Sequence, residues 1–496
     1  MNILQTILET LQYNVKDPLL FNSMFFLFFF FLFLAVYQFV QHKINTRIII
    51  VSVFSLFFFY KACGWYVGCI IAAAVIDFYL SNKIFASKHK RNKKLLLITS
   101  IILNLGLLCF FKYTNLFITT INDLSHGHIR PLQLILPIGI SFYTFENLSY
   151  TIDVYRGKFE PVKRFWDYLF FLSFFPKLMM GPIVRAADFI PQIRKSTQVS
   201  NLQVSSGLYL IMIGIIKKMV ISDFIYANYV ERIFDNPSMY TGMECLLAVY
   251  GYAMVIYCDF SGYSNMTMGM AKWMGFEINS NFDAPYQSKS ITEFWRRWHI
   301  SLSSWLKDYL YIPLGGNQLG KKRQYINLFI TMLLGGLWHG ASWNFVLWGG
   351  LHGSALGIDK FKNEMVDNNV YIKKKLTQHK KLINFLGVFI TFHFVCFCWI
   401  FFKASSFNDS CTMVNKIANH FNGQNIAALI TAYSLVILLT VLGFVFHFMP
   451  SSYESSTVNW LNKKPISIKI GMLVLVILIA VQFKQAAAIL PVYLQF

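Results

Sequence analysis

Two stretches carry the side chains best suited to chemistry. They are SITEFWRRWHISLSSWLKDYLYIPLGGN over 290–317, with His299, and LLGGLWHGASWNFVLWGGLHG over 333–353, with His339. An imidazole held away from water resists protonation, so its pKa falls below the ordinary value of about 6.5 and it stays a neutral base at pH 7. Such a base can take the proton of a hydroxyl as that hydroxyl attacks an acyl carbonyl. Two histidines with tryptophan and arginine nearby, and no carboxylate cluster, suit acyl transfer better than metal hydrolysis, since a two-histidine zinc site needs at least one more ligand. Ser301, Ser303 and Ser304 are alternative nucleophiles, although helix hydroxyls commonly bond back to the preceding turn. Arg296 and Arg297 have two readings. They are forks for a phosphate, as on coenzyme A or a carrier's prosthetic arm, or interfacial cations with Glu293 paired to Arg297 at i,i+4.

The elements that must position these groups follow from capping and periodicity. Ser290 and Glu293 form an S-x-x-E capping box that fixes a helix start. At about 100° per residue, a helix over 291–310 gathers Glu293, Arg297, Ser301, Ser304 and Asp308 on one face, and Phe294, Trp298, Leu302, Trp305 and Tyr309 on the other. His299 falls beside Trp295, Leu306 and Leu310, in the apolar arc, where it is buried or lines a cavity. His339 is expected in the middle of a long apolar helix over 325–350, where an ionisable residue is costly and marks function by default. Gly336 with Gly340, and Gly349 with Gly353, are small-x-x-x-small pairs that let backbones approach closely. The plain alternative for both histidines is a hydrogen-bonded packing residue.

Composition sets the wider frame. Of 496 residues, 56% are hydrophobic, 50 are phenylalanine and only 14% are charged, against about 25% charged in a soluble domain. The chain therefore reads as an all-α polytopic membrane protein of roughly ten to twelve spans, at about 20 apolar residues each. The predicted spans are 19–40, 48–60, 62–80, 95–118, 132–152, 204–226, 242–272, 325–350, 382–402, 426–448 and 466–490. Segments 165–185 and 291–312 are broken by proline, glycine and charge, and are expected to be re-entrant or interfacial, covered by protein or a watery cavity. Glu9, Lys16 and Asp17 spoil a cleavable signal pattern, so the first helix should be retained. One continuous membrane domain is expected, with N-terminal helices over 1–130, a catalytic core over 131–356 and C-terminal helices over 357–496.

A formal charge of +21 does not make a nucleic-acid binder, because the basic residues sit in short loops rather than on a solvated face interleaved with aromatics. Their distribution instead sets topology. The loop with Lys83, Lys88, Lys90, Arg91, Lys93 and Lys94 and the alternate loops around it are expected to be cytoplasmic, with the N-terminus outside. The Lys-rich stretch 360–381 is expected on the membrane surface. Most cysteines lie in apolar segments without a C-x-x-C pair. His393, Cys396 and Cys398 lack a fourth ligand, so no metal is expected.

The two histidine stretches resemble the two signature regions of membrane-bound O-acyltransferases (MBOAT), in the branch that modifies alginate, peptidoglycan and teichoic acid. FFPKLMMGPIVRAADFIPQI over 174–193, DFSGYSNMTMGMAKWMGF over 259–276 and a terminal PVYLQF extend the likeness. The resemblance implies a helical body with re-entrant segments and a central tunnel. It makes His339 the catalytic histidine and His299 its partner. Trp295, Arg296, Arg297, Trp298, Ser303, Trp305, Asn317 and Trp338 would line the tunnel or touch substrate, and Gly336 and Gly340 would pack closely. It further implies no bound cofactor and an acyl donor such as acetyl-CoA or another cytoplasmic thioester. The acceptor would be a cell-surface polysaccharide or peptidoglycan, the partner a periplasmic or extracellular serine-hydrolase-like O-acetyltransferase, and the location a bacterial inner membrane. Asn265 departs from the pattern, since many relatives carry Asp there. Two other readings stay open. One is D-alanyl transfer to teichoic acid, whose members tend to be shorter. The other is a transporter or flippase with an intramembrane His/Arg relay, which often shows paired, symmetrically broken helices.

Overall fold

Lipid offers no partner for an open backbone, so a chain this apolar has to satisfy its amides within helices. In the structure, a computed structural model, every regular element among the described residues is a helix. The described residues are 11–14, 18–21, 23–196, 198–424, 426–485 and 489–492. Glu9, Lys16, Asp17 and positions 493–496 of the terminal motif lie outside them. Among the described residues, four helical runs can cross a membrane by length and composition: Ile44–Ala86, Lys90–Ser125, Gly242–Trp273 and Lys380–Lys403. Ile426–Ala432 with Ser434–Phe448, bent by 85°, adds a fifth if the pair is one span, and Phe25–Val40 and Ile466–Gln482 are shorter apolar helices.

Several expected spans are broken by local chemistry. The segment 132–152 becomes helical only at Ile140, directly after Gly139, whose left-handed backbone (φ 75°) a continuing helix would not adopt. The segment 204–226 turns from α to π at Ile216. The segment 325–350 divides after His339 into two helices.

Contacts divide the chain into two units. The first comprises 1–213, 263–279 and 458–469. Its helices include α1 (Met24–Val40), α2 (Ile44–Cys63), α3 (Val67–Ala86), α4 (Lys90–Ser125), α5 (Ile140–Tyr155) and α6 (Phe165–Ser173). Phenylalanine fills its interior: the Phe175 ring meets those of Phe21, Phe26, Phe30, Phe33, Phe54 and Phe58 at centroid separations of 5.0–6.5 Å. A polar chain then ties four helices together. Asp77 of α3 accepts from Ser100 Oγ (2.5 Å) and Asn104 Nδ2 (2.7 Å) of α4, Asn104 accepts from Asn147 of α5 (3.2 Å), and Asn147 accepts from the Tyr168 hydroxyl of α6 (2.6 Å). Such side-chain bonds join helices where no hydrophobic difference from lipid does so. Lys177 and Glu146, both buried, form an ion pair, and Glu146 also accepts the Val184 amide at 3.1 Å.

The second unit comprises 214–262, 280–457 and 470–496. Within it, the π-helix Ile216–Asp223 places Lys218 and Asp223 over one another, because its hydrogen bonds span five residues instead of four. Lys218 Nζ lies 2.7 Å from Asp223 and 2.6 Å from Asp259, all three buried. The second oxygen of Asp259 accepts the amide of Val492 at 2.8 Å.

Candidate active site

The site region in the second unit is built from short helices and a hairpin. Helix α7 (Ile291–Arg297) starts where the capping box requires: Ser290 Oγ accepts the Glu293 amide at 3.2 Å. The Glu293 carboxylate closes on the Lys289 amide at 3.0 Å, one residue earlier than a standard box. The helix then stops. Trp298 is extended and His299 is left-handed at φ 42°, ψ 56°, so α8 (Ile300–Leu306) is a separate helix that passes into a π-turn over Lys307–Tyr311. The single helix expected over 291–310 is therefore broken at Trp298–His299, and its projected faces hold only as far as Arg297. The cause is a neighbouring loop that takes the backbone groups a continuing helix would use. Asp283 N donates to Arg297 O (3.0 Å), Ile300 N donates to Asn281 O (3.0 Å), and Ser301 N donates to Asn281 Oδ1 (3.2 Å).

His339 is the last residue of α9 (Lys321–His339), at a helix end rather than mid-helix. Gly340 is extended, and Ser342 caps α10 (Trp343–Asn368) by accepting the Asn344 amide at 3.2 Å. The two helices form a hairpin held by glycine. A Cβ on Gly336 would strike the Phe345 carbonyl and lie 3.1 Å from Gly349 Cα, and one on Gly349 would strike the Met332 carbonyl. Gly340 faces the Phe345 ring.

Both histidines are buried, and both meet Trp338. The Trp338 ring lies 6.0 Å from His299 and 5.0 Å from His339, centroid to centroid. His299 also sets its ring edge-on to Phe260 at 4.7 Å. His339 is walled by Trp348 (5.1 Å) and by Phe402 (5.3 Å) of α11 (Lys380–Lys403).

A third buried histidine joins them. His352 lies 4.8 Å from Trp348, and its Nδ1 accepts from Trp295 Nε1 at 3.3 Å. In sequence it closes a glycine-rich stretch that reads as packing, and its i,i+4 spacing from Trp348 is the signal that points to it.

The remaining candidates separate by burial. Trp295, Trp298 and Trp305 are buried; Trp298 stacks on Phe294 (5.6 Å), and Trp305 meets Tyr309 (5.1 Å). Arg297 is held by Glu293 (3.0 Å) and Asp283 (3.4 Å), the paired-cation arrangement, whereas Arg296 is exposed. Ser303 bonds back to Trp298 O (3.3 Å), in the extended link before α8, and Ser304 to Ser301 O (2.9 Å) within α8, so both hydroxyls are engaged by nearby backbone. Asn317 is exposed in the turn after the π-segment and is not among the buried ring residues. His393 binds the Tyr250 hydroxyl (3.0 Å) and the Phe389 carbonyl (2.8 Å) through its two nitrogens.

This chain belongs to the membrane-bound O-acyltransferase family, MBOAT, whose profile matches residues 162–407. The match takes in both histidines and also α11, which supplies Phe402. Among its relatives is a peptidoglycan O-acetyltransferase of Helicobacter pylori, 30% identical over 445 residues, covering 80% of this chain and 82% of the relative. A protein named probable alginate O-acetylase in Pseudomonas syringae pv. tomato is 34% identical over 435 residues, covering 84% and 80%. A teichoic acid D-alanyltransferase of Bacillus subtilis is 30% identical over 299 residues, covering 58% and 73%. The chain is thus an O-acyltransferase and a multi-pass membrane protein.

Proposed function

We propose that this enzyme moves an acetyl group from a cytoplasmic thioester, acetyl-CoA or a related donor, across a bacterial inner membrane for O-acetylation of a cell-surface polysaccharide or peptidoglycan. The observation that carries the site assignment is Trp338, whose ring meets both His299 and His339 in a buried aromatic cluster. A neutral His339 takes the proton as an acceptor hydroxyl attacks the thioester carbonyl. The new C–O bond forms, the C–S bond breaks, and the imidazolium returns the proton to the leaving thiolate. His299 lines the same cavity and tunes that base. Trp295, Trp298 and Trp305 exclude water, and exposed Arg296 is the free fork for a donor phosphate. A tunnel through the helical body would carry the acyl group, and a serine-hydrolase-like partner outside would complete transfer to the polymer.

Coverage supports acetyl over D-alanyl transfer: the acetyl-transferring relatives align over 80% and 84% of this chain, the D-alanyltransferase over 58%. The test is His339→Gln, which keeps hydrogen bonding but cannot take the proton. General-base assistance is worth about 10²–10⁴ in rate, so acetate released from the cell envelope by mild base should vanish while the protein still reaches the membrane. Normal acetate in that variant would rule out proton transfer by His339.

A further inference from the structure

His299 occupies the N-cap position of α8, yet its imidazole makes no capping bond to that helix. Its backbone is left-handed, a conformation that residues with a side chain rarely adopt and that persists only when the surroundings impose it. The first amides of a helix need acceptors, and here one residue from outside the helix supplies two. Asn281 accepts the Ile300 amide through its carbonyl (3.0 Å) and the Ser301 amide through Oδ1 (3.2 Å). Asn281 is fully buried, and its Nδ2 has no hydrogen-bond partner among the described residues.

We propose that Asn281 is a positioning residue for the acyl-transfer site. It takes over the cap that a residue at position 299 would ordinarily provide with its own side chain. The imidazole is thereby left to stand against Phe260 and Trp338 instead of folding back on its helix. This rests on the reading that His299 serves acyl transfer.

The test compares Asn281→Ala, Asn281→Asp and Asn281→Gln, reading base-released envelope acetate per membrane-inserted chain. Ala keeps the backbone acceptor but loses Oδ1, and a misplaced catalytic neighbour costs about ten- to a hundredfold. Asp keeps the acceptor for the Ser301 amide, which a carboxylate at a helix N-terminus suits, but it buries a charge, so acetate should fall clearly less than in Ala without reaching wild type. Gln keeps the amide but shifts its oxygen by one methylene. It should insert normally and lose acetate like Ala, which keeps the test readable if Ala does not insert. Wild-type acetate per chain in Ala or Gln overturns the proposal, and so does a loss in Asp as large as in Ala. Failure of all three to insert would make Asn281 a folding residue and also overturn it. His299→Ala run in parallel separates the two claims: if it leaves acetate unchanged, the functional reading of His299 fails; if it lowers acetate while Asn281→Ala does not, only the positioning claim fails.

Discussion

Trp295 Nε1 donates to His352 Nδ1 at 3.3 Å, joining a buried indole on α7 to a buried imidazole on α10. An accepting Nδ1 places the proton of a neutral ring on Nε2, which fixes the tautomer. The bond also holds His352 against Trp348, the ring that walls His339.

Removing the donor alone tests that bond. Trp295→Phe keeps an aromatic ring but leaves Nδ1 buried without its partner, a loss of about 1–3 kcal/mol. The purified variant should melt about 1–3 °C below wild type in a thermal-shift assay. An unchanged melting temperature would show that the contact holds nothing in place.

For His299, backbone and side-chain roles can be separated. His299→Ala should lower envelope acetate without removing the protein from the membrane. His299→Asn should insert at least as well, since Asn tolerates the left-handed backbone better than Ala, and should also lose acetate. Wild-type acetate in both variants would reduce His299 to packing.

The α9–α10 hairpin depends on its glycines. Gly336→Ala forces a methyl into the Phe345 carbonyl, and overpacking of this kind costs about 1–3 kcal/mol. Gly471→Ala, with open space around it, serves as the control. Blotting should show less inserted Gly336→Ala than Gly471→Ala, and equal amounts would mean that the hairpin yields without strain.

Topology is open to direct labelling. With the basic loops cytoplasmic, a cysteine at position 88 of an otherwise cysteine-free variant should resist an impermeant reagent added from outside. Labelling there from the outside would invert the proposed orientation.

Much of the site was legible because apolar pattern and capping are local. Burial of His299 and the helix start at Ser290 follow from residues within one or two turns. The break at Trp298–His299 was not legible, because Asn281 and Asp283 impose it from a loop that no helical projection includes. His339 ends its helix, where the sequence predicts mid-helix, for a related reason. Its flanking residues are apolar enough to continue, and Ser342 begins a new helix only because the glycines let the chain fold back. The Glu293–Arg297 pair was legible from its i,i+4 spacing, whereas the contact of Arg297 with Asp283 comes from a loop that the spacing does not include.

The two oxygens of Asp259 are shared between Lys218 and the amide of Val492, 233 residues further along the chain. During synthesis, the Lys218 pairing can form as soon as position 259 has emerged, but the second oxygen waits until position 492 has emerged as well. Until then the second unit holds a buried carboxylate oxygen that lacks this donor. A chain stopped short of that point therefore lacks one of the two donors that the finished chain brings to this carboxylate.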